Sequence, residues 1–252
     1  MIYIGIPVHN EAPTIGVLLW KIRRVFQQYG REYELLVYDD ASTDATPEVL
    51  SPYTEVLPLT VIRSEVHAGY GGALNAICRA AAERTRYARR DALVTMQGDF
   101  TDQPEHIPDL VKRFEGGADI VVVEPPPAMA GAGPAASRHL RSLAAWAFKA
   151  YIKVPGVTDP FGSYRLYRIS ALRDAVKAAG GPGASLVTGD GWAANVELLW
   201  RTAAVARRLE TVQFAPRYDL RTRASRVRPL AGALSLYRFG RSVRALQAAA
   251  SR

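Results

Sequence analysis

The chain has 252 residues, of which 48% are hydrophobic, 22% charged and 9% aromatic; this balance excludes disordered and collagen-like architectures and suffices for one large domain or two small ones. One cysteine, Cys78, excludes a disulfide framework and a Cys-rich zinc module, and the histidines His9, His67, His106 and His139 never form a His-x-x-x-His pair. The net charge of +8 is uneven: from Arg201 to Arg252 twelve Arg stand against Glu210 and Asp219, a net +10, so the preceding 200 residues carry about −2.

Ile2 to Pro7 reads as a short buried strand. It lacks the basic leader and long apolar stretch of a signal peptide, so the chain is expected to be cytoplasmic. Pro13 opens a helix whose apolar face carries Ile15, Leu18, Leu19, Ile22, Val25 and Phe26, and Gly30 ends it. Tyr33 to Tyr38 is a second strand, Ala45 to Leu50 a short helix, and Thr60 to Arg63 a third strand. A helix from Gly71 to about Arg86 precedes a strand from Ala92 to Met96, then a helix from Pro104 to Glu115 and a strand from Asp119 to Val123. Such alternation predicts an α/β fold, a mostly parallel central sheet with helices on both faces. Pro125 to Pro134 is rich in Pro, Gly and Ala and reads as a loop or hinge, followed by an amphipathic helix from Arg138 to Val154. The remaining elements are a strand from Phe161 to Tyr167, helices over Ala171–Ala178 and Gly189–Arg207, a strand from Glu210 to Phe214, and a helix from Leu230 to Ala250.

Four polar stretches carry the candidate chemistry. Pro7-Val8-His9-Asn10-Glu11 follows the first strand and can grip a base or ribose through backbone groups and Glu11; it can equally cap the helix at Pro13. Asp39-Asp40-Ala41-Ser42-Thr43-Asp44 follows the second, where adjacent carboxylates repel and call for a cation or a donor. Asp44 suits a helix cap, whereas Asp39 suits a nucleobase contact. Gly69-Tyr70-Gly71-Gly72-Ala73-Leu74-Asn75 opens a helix, where glycine permits close approach of a phosphate or sugar. Gln97-Gly98-Asp99-Phe100-Thr101-Asp102 follows the fourth strand, and Asp99 there is suited to Mg²⁺ or Mn²⁺ held against a diphosphate. Because parallel sheets bind ligands outside the carboxyl ends of their strands, segments 7–11, 39–44 and 97–102 are expected to converge on one crevice.

In this order the four stretches resemble glycosyltransferase family 2, with its GT-A fold, and most of all its dolichol-phosphate-mannose-synthase-like branch. Val157 to Arg168, with Asp159-Pro160-Phe161-Gly162-Ser163-Tyr164-Arg165, then Glu197-Leu198-Leu199 and Arg223-Ala224-Ser225-Arg226, extend the resemblance from Ile2 to about Arg228. It implies that Pro7, His9, Glu11 and Asp39, with Asp40 and Gly69 beside them, hold the nucleoside of a nucleotide-sugar donor. Gln97, Gly98 and Asp99 then lie at metal and diphosphate, with Asp99 the metal ligand; Asp159, Ser163 and Arg165 line the sugar and acceptor side, and Arg223, Ser225 and Arg226 lie near the donor phosphates. Three departures stand out: Gln97 replaces the first Asp of Asp-x-Asp, His9 stands where Tyr is usual, and Glu124-Pro125-Pro126-Pro127 replaces a Gly-Ser-Arg, leaving Arg138 and Arg141 as phosphate candidates.

The implied reaction is inverting sugar transfer, with Arg residues between 217 and 228 compensating the departing diphosphate. A polyprenyl-phosphate acceptor needs little proton removal, whereas a hydroxyl acceptor needs a base, for which Asp159 and then Asp190 are the candidates. Residues 1–228 would form the catalytic domain and 229–252 a basic amphipathic helix that either packs on it or touches an anionic membrane surface. A sugar-nucleotide-binding protein without transferase activity is the alternative. A nucleic-acid-binding module is disfavoured, because the aromatic residues of the basic stretch are not interleaved on strands as stacking platforms.

Overall fold

The computed structural model describes residues 1–129, 154–181, 183–220, 234, 235, 237–241 and 243. Residues 138–153 of the expected Arg138–Val154 helix, with Arg138 and Arg141, the loop residues 130–134, the triad Arg223, Ser225 and Arg226, and most of the expected 230–250 helix lie outside the described residues.

Seven strands form one sheet in the order β3-β2-β1-β4-β6-β5-β7. They are β1 (Ile2–Val8), β2 (Tyr33–Asp40), β3 (Leu59–Ser64), β4 (Ala92–Thr95), β5 (Ile120–Glu124), β6 (Arg165–Arg168) and β7 (Leu209–Gln213). All neighbouring pairs run parallel except those of β6, which is antiparallel to β4 and to β5. The expectation of a mostly parallel sheet therefore holds, with one reversed strand.

Period-two alternation sends the strand residues to two cores. Ile2, Ile4, Ile6 and Val8 of β1 and Leu35 and Val37 of β2 face helices α1 (Ala12–Tyr29) and α5 (Ile107–Glu115). Tyr3, Leu36, Tyr38 and Leu93 face α4 (Gly69–Arg84), α6 (Ile169–Ala178) and α7 (Trp192–Ala203). Between α1 and α4 in sequence lie two short helices, α2 (Thr46–Leu50) and α3 (Tyr53–Val56); α3 packs its Tyr53 over Gly16 of α1. On the other face Gly5 is what lets α4 approach β1, since a Cβ there would meet the Ile77 side chain at less than 3.0 Å.

Several boundaries differ from the sequence expectation. The segment at Pro104 begins as a 3₁₀ turn (Pro104–His106) before α5. A turn at 160–161 and an irregular stretch over 162–164 precede β6, which starts only at Arg165; the Ser163 and Tyr164 hydroxyls bond to Asp102 and to the Gln103 carbonyl. The expected 189–207 helix shortens to α7, since Gly191 sits at φ 55° and ψ −127°, outside helical space. Near the C-terminus, Phe239 and Val243 are buried with Phe161, Ala193 and Val196, while Leu234, Tyr237, Arg238 and Arg241 are exposed. Among the described residues no helix is long and apolar enough to cross a membrane.

Candidate functional site

The chain runs outward from β1 to β2 and β3, then returns to place β4 on the other flank of β1. This reversal of strand order falls at the carboxyl ends of β1 and β4, where sheets of this kind bind ligands in a crevice. Three of the four polar stretches meet there. Gly98 brings two of them into contact: a Cβ on it would lie 3.2 Å from Val8 Cγ1 and 3.7 Å from Glu11 Cγ. A lattice of hydrogen bonds joins the other pair. Asn10 N–H donates to Ser42 Oγ (2.9 Å), Thr43 N–H to Asn10 Oδ1 (2.7 Å), and Glu11 N–H to Thr46 Oγ1 (2.8 Å). Asp44 accepts from the Thr46 hydroxyl (2.5 Å), Thr46 N–H (3.0 Å) and Ala12 N–H (3.2 Å), so it ties α1 and α2 together, and these bonds, the hydroxyl's foremost, hold its pKa low against the opposing effect of burial.

Each crevice turn contains one non-glycine residue in the left-handed region: Asn10 (φ 51°), Ala41 (φ 54°) and Phe100 (φ 63°). Such conformations cost about 1 kcal/mol or more for residues with a Cβ and concentrate where function over-determines the backbone.

The carboxylates of the crevice have separate tasks. Asp39 is 0% exposed; its Oδ1 accepts from Ser42 N–H (3.0 Å), while Oδ2 makes no hydrogen bond and has the Arg63 guanidinium at 3.7 Å. Asp40 is committed to the start of α4, accepting from Ala68 N–H (2.6 Å) and Gly69 N–H (2.9 Å). Two imidazoles hang on the same residue: His9 Nδ1 lies 2.7 Å from the Asp40 carbonyl and His67 Nδ1 2.9 Å from its carboxylate, with ring centroids 4.7 Å apart. Asp99 is 1% exposed and accepts from Thr101 N–H (3.1 Å). Asp102 accepts from Gln97 N–H (2.8 Å) and Ser163 Oγ–H (3.3 Å), joining the end of β4 to the turn before β6. Burial, aided by the Asp99 charge, pushes its pKa up to about 7 against those two hydrogen bonds.

The glycine-rich stretch does a different job from the one its sequence suggests. A Cβ on Gly71 would fall within 3.0 Å of the Gly189 carbonyl oxygen, and Gly71 N–H donates to Asp190 Oδ1 (3.1 Å). Asn75 clasps Val187 through both its backbone groups, at 2.6 and 3.1 Å. The close approach that glycine permits here is thus made by the 187–190 loop of the protein itself. Glu197 holds the same loop from the other side, accepting from Thr188 N–H (2.7 Å) and Gly189 N–H (3.0 Å). Asp190 does not cap α7 with its side chain, because its carboxylate is turned to α4.

The turn carrying Asp159 is fixed by Glu124 at the end of β5, which accepts from Thr158 N–H (2.6 Å) and Asp159 N–H (3.0 Å). Asp159 Oδ1 accepts from Phe161 N–H (3.0 Å). Arg165 is 1% exposed; its guanidinium donates to the carbonyls of Pro160 and Asn195 and to the Tyr167 hydroxyl, and its Nε has no hydrogen-bond partner. This Arg is therefore spent on the backbone beneath the turn. Arg217 N–H donates to Thr101 O (3.0 Å), so the chain passes beside the Asp99 turn just before residues 221–233. Sequence reasoning named Asp102, Glu124 and Glu197 within its motifs but gave none a role of its own, and it did not single out Asn195.

Among the described residues no group of three His, Cys, Asp or Glu side chains could by itself hold a metal ion. Asp99 with Gln97 in place of a second carboxylate fits a cation only if a diphosphate supplies further oxygens, which is the ordinary way Mg²⁺ is bound beside phosphate.

The model of the family described as glycosyl transferase family 2 matches residues 3–176. An undecaprenyl-phosphate 4-deoxy-4-formamido-L-arabinose transferase of Pseudomonas paraeruginosa is 31% identical over 121 residues, covering 48% of this chain and 34% of its own length. A transferase of the same description from Photorhabdus laumondii is 31% identical over 116 residues, 46% of this chain and 34% of that protein. The match thus spans about a third of those relatives. Glucosyl-3-phosphoglycerate synthase from Mycobacterium tuberculosis, in complex with Mn²⁺, UDP-glucose and phosphoglyceric acid, superposes with a TM-score of 0.63 at 20% identity, over 96% of this chain and 79% of that one. S. aureus TarS 1-349 in complex with UDP superposes with a TM-score of 0.56 at 19% identity, over 84% of this chain and 57% of that one. At these identities the superpositions speak for the fold, which is GT-A.

Proposed function

The chain belongs to glycosyl transferase family 2, and from that premise we propose that it transfers a sugar from a nucleoside-diphosphate donor with inversion at the anomeric carbon. The observation that carries this reading is the buried Asp39 Oδ2, which lies at the carboxyl end of β2 and makes no hydrogen bond. A desolvated carboxylate oxygen left without a donor is costly, and a nucleobase or ribose group supplies one. His9 and Glu11 complete the nucleoside side, with Pro7 beneath them, and His67 stands beside His9.

Gln97, Gly98 and Asp99 face the donor phosphates in this reading. Asp99 would hold a divalent cation together with the diphosphate, and the cation would neutralise charge on the leaving group. Because Gln97 brings no charge, Arg223 and Arg226 with Ser225 are proposed to supply the rest, reached through the strand exit that passes Thr101. The anomeric carbon–oxygen bond to the diphosphate breaks as the acceptor oxygen attacks from the opposite face. With a hydroxyl acceptor the proton goes to the carboxylate of Asp159, or of Asp190 as second choice. With a phosphate-terminated polyprenyl acceptor, the kind named for the curated relatives, no proton needs removal. Ser163 and Arg165 would act on the acceptor side, Arg165 by holding the Pro160 turn in place. Residues 1–228 are taken as the catalytic domain, and the basic 229–252 segment as a helix able to meet an anionic lipid surface.

The test is a transfer assay with a panel of UDP-, GDP- and dTDP-sugars and polyprenyl-phosphate or hydroxyl acceptors. Asp99→Ala is expected to cut turnover by about 10²- to 10³-fold. Turnover within twofold of the wild type would remove Asp99 from the diphosphate role.

A further inference from the structure

We infer that Asn195 is a positioning residue that couples the α4 turn to the backbone bearing Asp159; the inference rests on the proposed transferase reading for its kinetic consequence. Asn195 lies on α7, is buried, and its amide orientation is forced by its partners. Oδ1 accepts from the Tyr70 hydroxyl (2.9 Å), and Nδ2 donates to the Phe161 carbonyl (3.0 Å), which can only accept. The Phe161 backbone is thus held on both sides of its Cα, because its N–H donates to Asp159 Oδ1 (3.0 Å). Arg165 reinforces the clamp, bonding both the Asn195 carbonyl and the Pro160 carbonyl.

The other end of the link is the first turn of α4. Tyr70 is flanked there by Gly69, whose N–H is held by Asp40, and by Gly71, whose N–H is held by Asp190. One turn therefore touches the nucleoside-side carboxylate, the 187–190 loop and, through Tyr70 and Asn195, the Asp159 turn. A change at the Asp40 end reaches Asp159 through three side-chain hydrogen bonds, Tyr70–Asn195, Asn195–Phe161 and Phe161–Asp159. Buried networks of this kind act as units, so removing one member displaces the rest. A displacement of the Asp159 carboxylate by a fraction of an ångström slows the step it serves without altering how the donor is held.

Two variants of the full-length protein test this. Tyr70→Phe deletes only the hydroxyl, and Asn195→Asp keeps the acceptor for Tyr70 but loses the donor to Phe161. Amide hydrogen exchange, measured without ligand, is expected to speed up at Phe161 by about tenfold in both variants while core amides of β1 and β2 keep wild-type rates. In transfer assays kcat is expected to fall about tenfold with the donor KM within twofold. Unchanged exchange at Phe161 in both variants overturns the coupling. Accelerated exchange with an unchanged kcat, or an effect confined to donor KM, overturns the positioning role. If the wild-type protein turns over none of the sugar nucleotides, the transferase reading and the kinetic role fall together, and the exchange result still decides the coupling. Uniformly faster exchange across the sheet would mark a merely structural residue and also overturn the inference.

Discussion

At the scale of single residues the crevice is a set of carboxylates sorted by their hydrogen bonds. Asp40 and Asp44 are used up within the protein, Asp39 keeps one oxygen unbonded, and Asp102 is driven toward neutrality by burial. That last group has a consequence in solution. With a folded pKa of about 7 against an unfolded value near that of an ordinary carboxyl, the native state holds the extra proton between about pH 4 and pH 7. Stability contributed by the neutral form is therefore lost as pH rises through that window, at up to about 1.4 kcal/mol per pH unit. Asp102→Asn, which cannot ionise, is expected to flatten this part of the profile. Chemical denaturation at several pH values checks it; parallel profiles for the two proteins would place the Asp102 pKa at its ordinary value. Little of this sorting was legible in the chain. Asp39 and Asp40 look alike in sequence, and only the position of the 67–69 backbone distinguishes them. The left-handed Ala41 and Phe100 were equally hidden, because neither residue type favours positive φ, whereas Asn10 is of a type that does.

At the scale of elements, α4 shows how a correct motif acquired the wrong partner. The run Gly69 to Asn75 does open a helix, and its glycines do permit a close approach, as the sequence suggested. The approaching group is the Gly189 carbonyl, 118 positions away in sequence, and nothing local announces it. Gly71→Ala is accordingly expected to displace the 187–190 loop and destabilise the fold by about 1–3 kcal/mol, the usual penalty for overpacking a tight contact. Thermal or denaturant unfolding measures this, and a variant as stable as the wild type would mean that the loop yields freely. The same logic explains the shortened helix before Ala203. Its expected first residues, Gly189 and Asp190, are pulled onto α4 and Glu197, so the helix begins only after the Gly191 turn. The helices and strands of the first half were readable because each pairs a clear period with a Pro or Gly boundary. The expected Phe161–Tyr167 strand was readable only in part: Arg165–Tyr167 do lie in β6, but the strand is four residues long and its reversed direction between β4 and β5 had no local signal.

At the scale of the whole molecule the decisive feature is the strand order. Three sequence-distant stretches meet because β1 lies between β2 and β4, bringing residues 8–11, 39–42 and 97–99 to one end of the sheet. The alternation of strands and helices made that convergence legible, since strand ends of a parallel sheet share one side. The proposed acceptor side is less so, because it depends on turns held by long-range bonds such as those of Glu124 and Asn195. The measurement that bears most directly on the whole account is calorimetric titration of UDP, in the presence of Mn²⁺, into the wild-type protein and into Asp39→Asn. The account predicts that UDP binds the wild type and that the variant, which keeps size and shape but loses the charged acceptor, binds it about 10- to 100-fold more weakly. Equal affinity for the two proteins would contradict it, and so would a wild-type protein that binds neither UDP nor any other nucleoside diphosphate.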